Sequence, residues 1–199
     1  TLLFLILALF VSAFEIVMPW AMMVLAPGFD EVPKKMEIAT ELSRIAFPYL
    51  LFISLVSLQS GVLNSLGRFA VPAAAPVLFN LVLISAILGF HDRLETPAHV
   101  LSWAVSVAGL IQFIWLAWYC RSAGFPIRLR RPRLTEKVRL LGRRILPVVF
   151  GSSLYQVNLL VGTILATLVS DGAVSYLYYA DRVTQLPLGV VGVAVGTAL

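Results

Sequence analysis

Charge, sulfur and imidazole are scarce in this chain of 199 residues, which is 13% charged and holds one cysteine and two histidines. A lone cysteine, Cys120, excludes an intrachain disulfide and a multi-cysteine metal site, and it is expected at the lipid boundary with no special role. His91 and His99 lie in or beside one short loop without a ligand cluster, so both are expected to be solvated and no metal is predicted. Catalytic motifs are missing too. There is no HExxH, no GxSxG and no Walker phosphate loop, which removes the reactive parts of an intramembrane hydrolase and of an ATP-driven pump. The chain is therefore not expected to be an enzyme, and no cofactor is predicted. The net charge of +5 invites a nucleic-acid reading. The basic residues lack aromatic interleaving, however, so no nucleic-acid partner is expected.

What the chain has in quantity is apolar surface. Hydrophobic residues make up 60% of it and the mean hydropathy is +0.94. A soluble domain of this size has too little interior to hide so much, which makes lipid the solvent. Segments 1–27, 45–65, 70–90, 98–120, 145–169 and 173–199 are each long enough to cross a hydrocarbon core, which takes about 20 helical residues. The fold class expected is all-α, a polytopic transmembrane bundle of six spans. Short links (NSLGRFAVP, HDRLETPAH and SDG) make consecutive helices antiparallel neighbours. The first residues carry no basic n-region or cleavage site, so they are not read as a signal peptide. Both ends are apolar, and the chain is expected to be a piece of a larger protein.

Orientation follows from lysine and arginine. The connection 121–144 carries Arg121, Arg128, Arg130, Arg131, Arg133, Lys137, Arg139, Arg143 and Arg144 against Glu136 alone. Such a connection is expected in the cytoplasm. NSLGRFAVP then lies inside as well, and HDRLETPAH and APGFDEVPKKMEIATELSR lie outside. MEIATELSR is expected to form a short surface helix. Leu134, Val138, Leu141 and Ile145 recur at helical spacing and predict an amphipathic helix on the inner leaflet before the chain turns into the fifth span. Prolines at 19, 48, 72, 76, 147 and 187 are tolerated in membrane helices and introduce kinks. Gly189, Gly192 and Gly196 predict a small-residue packing side on the last helix.

The polar residues inside these spans carry the functional signal. Ionised side chains at bilayer depth cost roughly 3 kcal/mol or more and normally face a protein interior or a wet cavity. Asp181 and Arg182 lie inside the sixth span. On a helical wheel Ser175, Tyr178, Arg182 and Gln185 share one quadrant, with Asp181 beside it. This face either lines a hydrated cavity, where Arg182 offers a planar fork to phosphate or carboxylate oxygens, or forms an internal ion pair that locks the helix to a neighbour. Glu15, halfway along the first span, either titrates, pairs with an arginine on a helix missing from this chain, or binds a cation. Gln59, Asn80, Gln112, Gln156 and Asn158 are expected to be interhelical hydrogen-bond partners.

FPYLLFISLVSLQSGVLNSLGRFAVPAAAPVLFN at 47–80 and YYADRVTQLPLGVVGVAVGTAL at 178–199 resemble the MurJ/MviN family. These are lipid II flippases of the multidrug/oligosaccharidyl-lipid/polysaccharide exporter superfamily. The resemblance implies fourteen helices in two lobes around a cationic cavity, with this chain covering helices three to eight. It implies that residues 1–120 close the first lobe, 121–144 form the connector and 145–199 open the second lobe. It further implies that Arg182 helps hold the lipid-linked pyrophosphate, with Asp181, Ser175 and Gln185 at neighbouring substrate-binding positions. Some relatives carry glutamate at the position of Gln185. Others carry an acid of a sodium site in an NLLVDT-like run, which here reads NLLVGT with Gly162. The implied partners are a lipid-linked peptidoglycan precursor, membrane lipids and cell-wall synthesis proteins, and the implied location is the bacterial inner membrane. The competing functions are a related exporter of drugs or lipid-linked glycans and an inactive truncated membrane protein.

Overall fold

The computed structural model describes residues 1–29, 33–90, 96–126, 136–170 and 172–198. Seven α-helices account for most of them: α1 (Leu2–Leu25), α2 (Pro33–Ala46), α3 (Tyr49–Ser65), α4 (Ala70–Phe90), α5 (Pro97–Ser122), α6 (Glu136–Val169) and α7 (Ala173–Ala198). Among the described residues, four helical stretches are long and apolar enough to cross a membrane, and the bent α6 makes a fifth. The chain is an all-α, multi-pass membrane protein. The sixth expected span, α7, has 26 residues, which at 1.5 Å each is about 39 Å. Asp181, Arg182, Thr184 and Gln185 make its first half too polar for it to join the apolar set.

The chain forms two compact units, residues 1–19 with 37–135 and residues 20–36 with 136–199. In the first unit α5 is the central helix, packed on α3 and α4. Its buried residues Ala104, Ala108, Gln112, Leu116 and Cys120 follow one another at every fourth position, forming a single ridge. The core joins Leu116 and Cys120 to Val56 and Leu63 of α3 and Ala75 of α4. Small residues let the backbones approach. Gly109 is one such point, where an added Cβ would lie 2.7 Å from Tyr49 Cδ2 and 3.0 Å from Phe52 Cβ.

Two expectations are corrected here. Cys120 is not at the lipid boundary but 2% exposed in this core, with its thiol 3.9 Å from the Gln59 carbonyl oxygen. Every fourth α5 residue turns inward, and position 120 falls on that ridge. His99 is buried rather than solvated, because the loop ends earlier than expected. Thr96 caps α5, Pro97 occupies its first turn, and His99 Nδ1 lies 2.8 Å from Thr96 Oγ1. His91 lies outside the described residues.

The surface helix expected around MEIATELSR is present within α2, but it runs into α3 after only Phe47 and Pro48. Pro48 has no N–H to continue the ladder, and beside this break Ile45 O accepts from Ser106 Oγ at 2.6 Å. Phe47 stacks with Phe10 and Phe14 of α1, at centroid separations of 6.3 and 5.4 Å.

In the second unit, the 3-10 turn Pro27–Phe29 packs on the end of α6. The Gly28 N–H donates to Thr167 Oγ1 at 3.3 Å. A Cβ on Gly28 would fall on the Thr167 carbonyl oxygen, so only glycine fits. The helical stretch α6 runs from Glu136 to Val169. Leu134 lies outside the described residues, as do the side chains of Val138 and Leu141. The bend comes later, 46° between Gly142–Gly151 and Gln156–Val169. Gly151 and Ser153 lie beside it: Ser153 Oγ donates to Val149 O at 2.5 Å, a back-bond that opens a helix turn. The side chains of 188–198, including the small-residue side at Gly189, Gly192 and Gly196, lie outside the described residues.

Candidate functional site

Gly172, at φ +85°, makes the tight turn from which α7 starts. Steps of three, four and three residues then bring Ser175, Tyr178, Arg182 and Gln185 onto one face of the helix. Arg182 Nη2 donates to the Tyr178 hydroxyl oxygen at 3.0 Å, and its guanidinium carbon sits 5.0 Å from the centroid of the Tyr178 ring. Arg182 Nη1 lies 3.5 Å from Gln185 Oε1. Gln185 Nε2 donates in turn to Asp181 Oδ2 at 2.6 Å. Asp181 thus reaches the arginine through a neutral amide. Arg182, Gln185, Tyr178 and Ser175 are exposed and Asp181 is half-buried.

Chemically this is a cation held in a defined plane on an exposed helix face. A group of this kind is suited to oxyanions through charge-assisted hydrogen bonds. Among the described residues, no three histidines, cysteines or acids gather as a metal site.

The other predicted polar residues lie apart from this face. Glu15 has a companion that sequence reasoning missed: Arg44 Nε of α2 donates to the Glu15 backbone oxygen at 3.1 Å. Glu15 Oε1 is buried with no hydrogen bond. Glu41, also on α2, has Oε2 3.7 Å from His99 Nε2. Of the amides, Gln112 makes the expected interhelical bond, its Nε2 donating to Ala75 O at 2.7 Å. Gln59 is buried with both side-chain polar atoms unbonded, beside an apolar groove of about 880 Å³ lined by residues of α1, α3 and α5. Asn80, Gln156 and Asn158 are exposed. Gly162 has room around it, the nearest neighbour of an added Cβ being Leu177 Cδ2 at 3.8 Å.

The chain is similar to known proteins along its whole length. The family model described as lipid II flippase MurJ matches residues 1–199. A probable lipid II flippase MurJ of Rhizobium tropici is 42% identical over 99% of this chain and 38% of its own length. One of Rhizobium meliloti is also 42% identical, over 99% of this chain and 37% of its own length. The lipid II flippase MurJ of Burkholderia cenocepacia is 36% identical over 90% of this chain and 36% of its own. The chain therefore spans somewhat over a third of the length of these relatives. With its full length matched and its helices matching the expected class, the chain belongs to the MurJ family of lipid II flippases.

Proposed function

We propose that this chain is the part of a lipid II flippase that presents Arg182 to the pyrophosphate of an undecaprenyl-linked peptidoglycan precursor during its passage from the cytoplasmic to the outer leaflet of the bacterial inner membrane. Residues 1–120 close the first lobe, 121–144 connect the lobes on the cytoplasmic side, and 145–199 open the second. One lobe rocks on the other, the head group crosses between them, and the lipid tail stays in the bilayer. No bond is broken. Arg182, flanked by Ser175, Asp181 and Gln185, supplies charge complementarity to the diphosphate. The membrane potential supplies about 2.3 kcal/mol per 100 mV for each charge moved.

The observation that supports this reading is an exposed, oriented guanidinium on a helix whose other half is apolar, in a chain of this family. Arg182→Ala in the full-length protein is expected to abolish growth rescue of flippase-depleted cells. Arg182→Lys keeps the charge but loses the planar fork, and is expected to rescue weakly. Normal growth on Arg182→Ala at ordinary expression would refute the role given to Arg182.

A further inference from the structure

We infer that Tyr178 is a positioning residue for Arg182, and that Asp181 and Gln185 act from the other side to fix the same guanidinium for in-plane capture of a diphosphate; this rests on the reading of Arg182 as the pyrophosphate contact. An arginine on an exposed helix face normally samples many rotamers. Here Tyr178, one turn earlier, restrains it twice, with a hydroxyl 3.0 Å from Nη2 and a ring whose centroid is 5.0 Å from the guanidinium carbon. Gln185 adds a third restraint at Nη1. Its amide has a defined orientation because Nε2 is engaged by Asp181, which turns Oε1 rather than the NH2 group toward the cation.

The arrangement decides how an anion can arrive. The guanidinium carbon lies 5.0 Å from the centroid of the Tyr178 ring. Of the five guanidinium N–H donors, two are taken by Tyr178 and Gln185, leaving about three, all in the plane of the group. An oxyanion must then approach edge-on, the geometry in which adjacent diphosphate oxygens take parallel hydrogen bonds. The restraints also preserve the charge. Tyrosine and glutamine are neutral, and Asp181 is held one amide away. A carboxylate directly on Arg182 would cancel the field that attracts the passenger; a tyrosine holds the cation without neutralising it.

A double-mutant cycle on the full-length protein in nanodiscs, titrated with fluorescent lipid II, tests this. Tyr178→Phe keeps the ring and is expected to weaken binding about 3-fold, and Tyr178→Leu about 10-fold. In an Arg182→Ala background, Tyr178→Leu should bring no further loss, because tyrosine acts only through the arginine. The same relief is expected for Gln185→Leu. Tyr178→Leu binding like the unmodified protein while Arg182→Ala binds weakly would overturn the positioning role and leave the pyrophosphate contact intact. An equal further loss in the Arg182→Ala background would overturn it as well, since Tyr178 would then touch lipid II or the fold independently. Unchanged binding by Arg182→Ala would remove the underlying reading and this inference with it. Tyr178→Phe guards the test against a leucine variant that fails to fold.

Discussion

Gln112 illustrates what a single polar residue does inside this protein. Its amide donates to the Ala75 carbonyl from a position 2% exposed, linking α5 to α4. Interhelical bonds of this kind contribute roughly 0.6 to 1.7 kcal/mol in membrane proteins. Gln112→Leu is therefore expected to destabilise the full-length protein by about 1 kcal/mol, read as a drop of a few degrees in its unfolding midpoint in detergent. An unchanged midpoint would mean that the bond contributes nothing net. At this scale the sequence was legible where chemistry is out of place. An acid and an arginine in an apolar run marked Asp181 and Arg182, and helical spacing added Ser175, Tyr178 and Gln185. It was illegible where the partner is backbone. Arg44 grips the Glu15 carbonyl, and a carbonyl has no residue type to signal it. His99 was misjudged although a signal existed, since Thr96 followed by Pro97 is a readable helix start that pulls position 99 into a first turn.

Helices were legible as runs of apolar residues, and Pro48 was legible as an interruption, but the contact beside it was not. At the α2–α3 break Ser106 of α5 donates to Ile45 O, a pairing 61 residues apart that no local pattern reveals. The bend in α6 lies beside Gly151 and Ser153, where the serine hydroxyl bonds back to the Val149 carbonyl. On α5, Gly109 lies tight against α3. There, Gly109→Ala places a methyl against the Tyr49 ring and the Phe52 Cβ, which sits on backbone and cannot turn aside. The expected cost is about 1–3 kcal/mol, measured as a lower unfolding midpoint, and Tyr49→Ala should recover part of it by vacating the space. A Gly109→Ala protein as stable as the parent would show that α3 and α5 do not pack this tightly.

For the whole molecule, the distribution of charge sets the topology and the isolated arginine sets the proposed task. With Arg139, Arg143 and Arg144 near the start of α6, the connector is expected on the cytoplasmic side. A single cysteine in place of Glu136, in a full-length protein otherwise free of cysteine, should react with a membrane-impermeant maleimide only after cells are permeabilised. Labelling of intact cells would invert the orientation. The central claim is that the α7 face is wet and meets a pyrophosphate passenger. The most direct measurement is thiol labelling of Ser175→Cys in the same cysteine-free protein, purified into nanodiscs, with and without lipid II. Rapid labelling by a hydrophilic reagent, slowed several-fold by lipid II and unaffected by it once Arg182 is alanine, is the result expected. A thiol that stays unlabelled, or that labels at one rate whatever the lipid, would contradict it.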